Sequence, residues 1–377
     1  MPKIVIIGGS FAGLNALATI FKTAGSTSID ATLVAPNSHA YFNVASPRLL
    51  SEPDKFSETT VPVSEAVQKH SRGKATFLRG LATAVDFDKR EVSVQLMAGG
   101  HKTLPYDILV VASGTEAKWA GYKVNTNHED AHKAIVAANK ALKNALSVAV
   151  VGGGPTGTEV AGEIAHVFKK AKVTLYTGGL GPLAGAAAKL SGKALKKLGA
   201  LGVELVNGVQ VQSVSGTAGG KSTVALANGQ SREHDLVLES YIVRPYSEFL
   251  PSAVKDGKGY VVTDDHLLVK GQRSVVALGD IVSGSSKSLV DLKMRQAGLF
   301  RATIQNLLRD VQNPEFLPGA KTAKEGLEYQ PVTHTMMVPI SRDGGVGMVF
   351  GISLPNFAVH YGKAKTFMLE KARSEFV

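Results

Sequence analysis

Two stretches decide the fold: Ile4-Val5-Ile6-Ile7-Gly8-Gly9-Ser10-Phe11-Ala12-Gly13 and Val148-Ala149-Val150-Val151-Gly152-Gly153-Gly154-Pro155-Thr156-Gly157. In each, four apolar residues read as a parallel strand buried on both faces, and a Gly-rich turn leads from it into a helix. Such a turn sets the N–H groups and the positive dipole end of the helix against a pyrophosphate. One copy of this pattern is a weak signal. Two copies a domain length apart, each directly behind an apolar strand, are much harder to obtain by chance. Two dinucleotides in one chain imply a flavoprotein that takes electrons from a nicotinamide cofactor.

The composition fits that reading. A chain of 377 residues holds two or three packed domains, and 44% hydrophobic with 19% charged residues is the balance of an ordinary globular protein. The absence of cysteine removes a redox-active thiol pair, a thiolate nucleophile and a Cys-ligated metal together. Electrons must then leave the flavin directly. The histidines show no metal-ligand spacing, so no metal is expected. The chain enters its first strand at once, without a signal peptide, and no apolar run approaches the ~20 residues that span a bilayer. These features predict an intracellular protein, cytoplasmic or peripheral on an internal membrane. With 42 Lys+Arg against 31 Asp+Glu the formal charge is +11, which attracts phosphate-rich surfaces. Two polyanionic nucleotides account for much of it. Nucleic acid ranks last among the expected partners, because the basic residues are dispersed and no nucleic-acid-reading motif is visible.

Along the chain, residues 2–35 read as strand, turn, helix and second strand, and alternating residues from Ala75 to Val94 read as an inserted antiparallel meander. The run Tyr106 to Gly114 is a further buried strand ending in the small turn Ala112-Ser113-Gly114. The second half repeats this order, with Ser215–Gly220 as a hairpin tip. The strand Ser274 to Asp280 and a long helix from about Ser288 to Asp310 look like a return to the first domain. This gives a first nucleotide domain over 1–118 and 251–328, a second over 119–250, and a C-terminal hairpin and basic helix over 329–377. In the tail, Phe357, Tyr361, Ala364, Met368 and Ala372 fall on one side at helical spacing. That amphipathic helix suits peripheral contact with an anionic membrane, or equally packing on its own domain or against a second copy in a homodimer.

The paired fingerprints, the Ala112-Ser113-Gly114 turn and the strand end Ala277-Leu278-Gly279-Asp280 together resemble the pyridine nucleotide–disulfide oxidoreductase superfamily over nearly the whole chain. The runs Tyr41 to Arg48, Gly157 to Glu163 and Asp343 to Gly347 resemble its apoptosis-inducing-factor-like branch, near the ferroptosis suppressor proteins and type II NADH dehydrogenases. The resemblance implies an α/β fold with two Rossmann-like dinucleotide-binding domains in the glutathione-reductase-like FAD/NAD(P) arrangement. It implies FAD with NADH or NADPH, and a quinone or another small molecule as electron acceptor. Carried over by position, Gly8, Gly9, Ser10 and Gly13 receive the FAD pyrophosphate, with Ala112 and Gly114 beside it, and Arg48 lies over the flavin or its phosphates. Gly279 and Asp280 meet the ribityl chain, where a carboxylate offers only acceptors to hydroxyl groups. Gln296 and Lys293 flank the pyrimidine end, Lys293 as the cation that stabilises the reduced ring. Gly152, Gly154, Thr156 and Gly157 receive the nicotinamide nucleotide, and Glu159 stands near the nicotinamide.

The sequence departs from that pattern at four places. Ser10 replaces a glycine of the first turn. No acid follows the second strand at Ala35-Pro36, and none follows its counterpart at Tyr176-Thr177-Gly178, so the choice between NADH and NADPH stays open. Leu238-Glu239-Ser240-Tyr241 stands where relatives have a small turn, so Tyr241 either reshapes the nicotinamide pocket or blocks it. Lys293 has a second reading as a solvated helix residue, and Glu159 as a first-turn acid favouring the helix dipole. Two rival functions follow: a flavoprotein of secondary metabolism acting on one small organic molecule, and a basic nucleic-acid-binding flavoprotein.

Overall fold

The first apolar run forms the strand Lys3–Ile7, third in a seven-stranded sheet. In a computed structural model that describes residues 1–124, 127–216, 220–312 and 328–377, its neighbours are Asp30–Ala35 on one side and Ile108–Val111 on the other, both parallel to it. Val275–Ala277 lies beside Ile108–Val111, which is the return of the chain expected from the sequence. The strand order therefore reverses direction at Lys3–Ile7, and the crevice at such a switch point is where α/β sheets bind ligands. On the far edge Ala75–Asp86 is parallel to Asp30–Ala35, then turns antiparallel into Glu91–Leu96 and His101–Pro105.

The second apolar run builds the same arrangement. Ser147–Val151 sits between Lys172–Tyr176 and Leu236–Glu239, all parallel, with Glu204–Val206 at the edge. An antiparallel meander of Val211–Gly216, Ser222–Leu226 and Ser231–His234 follows the pattern of the first half. The expected hairpin tip at 215–220 falls partly on 217–219, outside the described residues. The two chain crossings between the units, Thr115–Ala117 and Ile242–Pro245, pair antiparallel.

Both fingerprints need glycine for the same steric reasons. Gly8 and Gly152 have φ of 132° and 121°, and a Cβ there would lie 2.2 Å from Ala112 O and 2.6 Å from Ser240 O respectively. A Cβ on Gly13 or Gly157 would lie 1.8 Å from the carbonyl oxygen of Gly8 or Gly152. Each helix is thus pressed onto its own turn, which only a missing side chain allows.

Val261–Thr263 and Leu267–Val269 make isolated bridges, because the turn closed by Asp264 Oδ1 on the N–H groups of His266 and Leu268 folds them back on each other. Two expectations need correction. The long helix is interrupted: Leu289–Asp291 runs into a π-turn, Leu292–Gln296, before the helix Ala297–Gln312. The C-terminal tail is not one amphipathic helix. Asn356–Val359 widens into a π-turn, His360–Ala364, and the chain breaks at Phe367 and Met368, both at left-handed φ. Ala364 and Ala372 are buried as their spacing suggested, but Phe357 and Tyr361 are 66% and 73% exposed. The break follows from where the apolar surface lies: Phe367, Leu369, Ala372 and Phe376 join the core of the first sheet.

The strands Met336–Ser341, Gly344–Val349 and Ile352–Ser353 form a small sheet whose Val338, Ile340, Val346 and Met348 complete the core of the second unit. This sheet lies on the helix Pro155–Val167 at Gly162, where a Cβ would stand 2.0 Å from Ile340 O. Gly162→Ala is expected to lower stability by about 1–3 kcal/mol or more, since backbone and not a flexible side chain must yield. Gly192→Ala, on the helix Ala188–Ala200 with open space around it, is expected to raise stability slightly. Thermal unfolding of the two variants beside the parent checks the contrast.

Candidate active site

The carboxyl ends of the two central strands open on one cavity of about 1170 Å³. That exceeds the ~300–1,000 Å³ usual for a drug-sized ligand and suits an extended dinucleotide with a second ring against it. The first unit lines it with Gly8, Gly9, Ser10, Ala112, Gly114, Gly279 and Asp280. The second contributes Pro155, Thr156 and Glu159, and the C-terminal segment contributes Lys363. Gly152, Gly154 and Gly157 form the turn just beyond, and Gly154 has open space where a Cβ would be. Gly13 serves the helix packing described above.

These residues fit a flavin dinucleotide. The helix Phe11–Ala24 starts at Ser10 with no side-chain cap, so its first N–H groups are left for an outside acceptor. Asn37 stands where an acid was missing: its amide donates to Gly9 O at 3.2 Å and His39 O at 2.8 Å, and the residue lines the cavity. Asp280 presents a carboxylate paired with Lys123 at 2.9 Å. Burial acts to raise its pKa, but Lys123, with Lys287 behind it, outweighs burial and holds the carboxyl below its usual range. Burial pulls the Lys287 ammonium down to about 8 while Asp280 and Asp256 resist. Lys287 sits 3.9 Å from the centre of the Tyr260 ring. Two cations, each bonded to protein oxygens, stand along this wall.

Three expected residues lie elsewhere. Lys293 points away from the cavity and pairs with Glu375 at 2.5 Å. Gln296 is buried behind the wall: its Oε1 accepts from the Gly279 N–H at 2.6 Å and its Nε2 donates to Asp291 at 2.9 Å, so it braces the Gly279-Asp280 turn. The π-turn through residues 292–296 presents Leu292, not Lys293, to the cavity. Arg48 is 3% exposed and does not line the cavity. Its Nε donates to Glu163 at 2.9 Å and its other nitrogens to the carbonyls of Lys365 and Ala364.

Tyr241 lies on the wall of the cavity. Its hydroxyl donates to Glu239 at 2.6 Å, Ser240 bonds to Tyr122 at 2.6 Å, and the ring forms part of the wall. The region that broke the pattern has become lining.

Lys363 is the functional candidate that sequence reasoning missed. Its ammonium donates to Glu159 at 2.5 Å across 204 residues of chain. Burial pushes the Glu159 carboxyl above its usual range, and Lys363 draws it part of the way back. Nothing in the sequence marks this lysine among the other basic residues of the tail. The π-turn through residues 360–364 and the close passage of Gly362 past Met337 Sδ, 2.9 Å from where a Cβ would be, aim it inward.

Two uncapped Rossmann helices meeting at a cavity that holds a buried carboxylate–ammonium pair define a two-nucleotide flavin oxidoreductase. Residues 2–299 match the pyridine nucleotide-disulphide oxidoreductase family, and the chain belongs to it. It is an FAD-dependent NAD(P)H oxidoreductase. It is 28% identical to oxidoreductase ptaL of Pestalotiopsis fici, over 95% of this chain and 94% of that one. It is 25% identical to ferroptosis suppressor protein 1 of Xenopus tropicalis, over 99% and 95%. An internal alternative NAD(P)H-ubiquinone oxidoreductase of Solanum tuberosum is 28% identical over 74% of this chain and 62% of its own length. Among solved structures, NDH2 from Plasmodium falciparum in complex with NADH superposes with a TM-score of 0.73 at 16% identity, covering 100% of this chain and 96% of that one.

A carboxyl whose pKa is raised by folding favours the folded state while it is protonated, and that contribution is lost as pH rises through the folded value. Lys363→Met removes the opposing cation and raises Glu159 further. Its stability is expected to fall more steeply than the parent's between about pH 5 and pH 8. Adding Glu159→Gln is expected to remove the extra slope. Denaturant midpoints across that range check both.

Proposed function

We propose that residues 1–118 and 251–328 hold FAD, that residues 119–250 hold NADH or NADPH, and that electrons pass to a quinone. Bound FAD supplies the redox chemistry, accepting hydride from the nicotinamide and releasing electrons to the acceptor. The first N–H groups of the helix Phe11–Ala24 receive the pyrophosphate, and Asp280 accepts from ribityl hydroxyls. The helix beginning at Ser288, whose Oγ accepts from the Asp291 N–H, puts Leu289 and Leu292 on the cavity wall, and Lys293 takes no part. The observation that carries the reading is the Glu159–Lys363 pair, set in the wall of the cavity onto which both fingerprint helices open. Reduction of a quinone takes up two protons with two electrons, and a carboxyl of raised pKa bonded to an ammonium holds protons at that point. The kinship with NAD(P)H-ubiquinone oxidoreductases supports a quinone-type acceptor.

The same reading gives the exposed apolar patch a use. Phe350, Ile352, Phe357 and Tyr361 are each 66–73% exposed, with Lys365 5.9 Å from the Tyr361 ring centre. They stand on the segment that carries Lys363 inward. Among the described residues no helix is long and apolar enough to cross a membrane. Peripheral contact of this patch with an internal membrane would bring a lipid-soluble acceptor to Lys363. A homodimer would bury the same patch. Tyr241 on the cavity wall, its hydroxyl held by Glu239, favours a second reading, in which the acceptor is one small organic molecule shaped to that wall.

The purified protein is expected to be yellow and to lose its flavin band within seconds of mixing with NADH or NADPH in a stopped-flow instrument. A soluble quinone should restore the band. Lys363→Met is expected to slow that restoration by about 100-fold or more and to leave bleaching within a few fold of the parent. If neither nicotinamide bleaches the flavin, the dehydrogenase reading is removed.

A further inference from the structure

The end of the strand Lys172–Tyr176 is the place where a Rossmann fold reads the adenosine ribose. A carboxylate there accepts from both ribose hydroxyls and repels a 2′-phosphate, whereas an arginine nearby accommodates that phosphate. Here the position is held by Thr177, which sits against the fingerprint turn: a Cβ on Gly153 would be 2.8 Å from Thr177 Cβ. Its hydroxyl is spent inside the loop, 2.9 Å from both Gly179 O and Asn207 Oδ1. Gly178, at φ 68°, and Gly179 follow, and the loop is tied down by Gln210 Nε2 donating to Gly178 O at 2.8 Å and Gly208 N–H to Gly179 O at 2.7 Å. It is therefore a preformed edge with no acidic side chain and no cation fixed on it.

The surrounding charge points the same way. From Lys169 to Val203 the sequence has seven lysines and no Asp or Glu. Two of them, Lys189 and Lys193, stand exposed in the first turns of the helix that follows the loop. The next acid, Glu204, is paired with Arg232 at 2.5 Å and lies beside Thr174, away from the loop. A 2′-phosphate thus meets no repulsion and a mildly positive field, while an unphosphorylated ribose finds no carboxylate to reward it.

We infer that the second nucleotide site accepts NADH and NADPH alike, with affinities within about tenfold of each other, and that Thr177 is the residue whose neutrality sets this. A tenfold ratio corresponds to about 1.4 kcal/mol, less than one fixed charge pair at this position would contribute. The inference rests on the reading that this fingerprint holds a nicotinamide nucleotide. NAD⁺ and NADP⁺ binding to the FAD-loaded enzyme by titration calorimetry, run beside flavin bleaching by NADH and NADPH, tests the two separately. The expected result is two dissociation constants within about tenfold, with a ratio that shifts toward NAD⁺ as salt screens the lysines. Thr177→Asp should weaken NADP⁺ relative to NAD⁺ by about tenfold or more, and the uncharged Thr177→Asn should leave the ratio near the parent's. A parent ratio beyond about tenfold in either direction overturns the inference, as does binding of neither nucleotide, and the parent measurement decides this whether or not the Asp variant folds. A Thr177→Asp protein with an unchanged ratio overturns the role given to Thr177. Equal binding without bleaching leaves the inference standing and removes the hydride-transfer reading.

Discussion

One carboxylate oxygen holds the parts of this molecule in register. Glu163 Oε1, on the second fingerprint helix, accepts from Arg48 Nε of the first unit at 2.9 Å, from Ser51 Oγ at 2.6 Å and from Arg342 of the C-terminal sheet at 3.3 Å. Arg48 spends its remaining nitrogens on the backbone of residues 364 and 365. Burying an ion pair repays its desolvation only when the remaining donors and acceptors are also bonded, and the Arg48 guanidinium meets that condition. Glu163 meets it on one oxygen only, since Oε2 has no partner among the described residues. The geometry is therefore better explained as fixing one relative placement of two sheets and a tail than as a source of stability. Without that placement the carbonyls of 364 and 365 have no anchor, and Lys363 loses its aim.

Glu159 and Glu163 lie one helical turn apart, a spacing that puts them on one face of the helix. The fold divides them. Glu163 meets a cation brought by the first unit and becomes part of the joint. Glu159, a turn closer to the helix start, meets a cation brought by the tail and becomes part of the cavity wall. A helix pressed onto its turn by Gly157 and onto the C-terminal sheet by Gly162 can present two acids to two surroundings because it cannot shift along its own axis.

What could be read from the sequence and what could not divides along contact range. Buried parallel strands, glycine turns and the return strand at Val275–Ala277 are written in local patterns, because the period of the apolar residues and the steric need for glycine both act within a few residues. Arg48 and Lys293, two of the three residues that lie off the cavity, are set by features such patterns do not carry. Arg48 was assigned to the flavin by position, and what withdraws it is a carboxylate 115 residues away. Lys293 stands on a helix that lines the cavity, but a π-turn rotates that helix by a fraction of a turn and hands the wall to Leu292. In the tail, helical spacing grouped Phe357 and Tyr361 with Ala364 and Ala372. A chain break at two left-handed residues separates them, and periodicity alone does not register such a break.

The cavity wall then shows why a chain with charge +11 carries so few free cations where the anionic cofactors go. Lys123 is tied to Asp280 and Thr115, Lys287 to carbonyl and hydroxyl oxygens under Tyr260, and Lys363 to Glu159. Each cation is held by neutral or acidic groups, so a dinucleotide entering the site meets oriented donors and not mobile charge. Preorganised donors need no reordering when charge arrives and, out of bulk water, act more strongly than exposed lysines would. The excess positive charge of the protein is left to its surface, where it bears on the approach of anions and not on how the flavin is held.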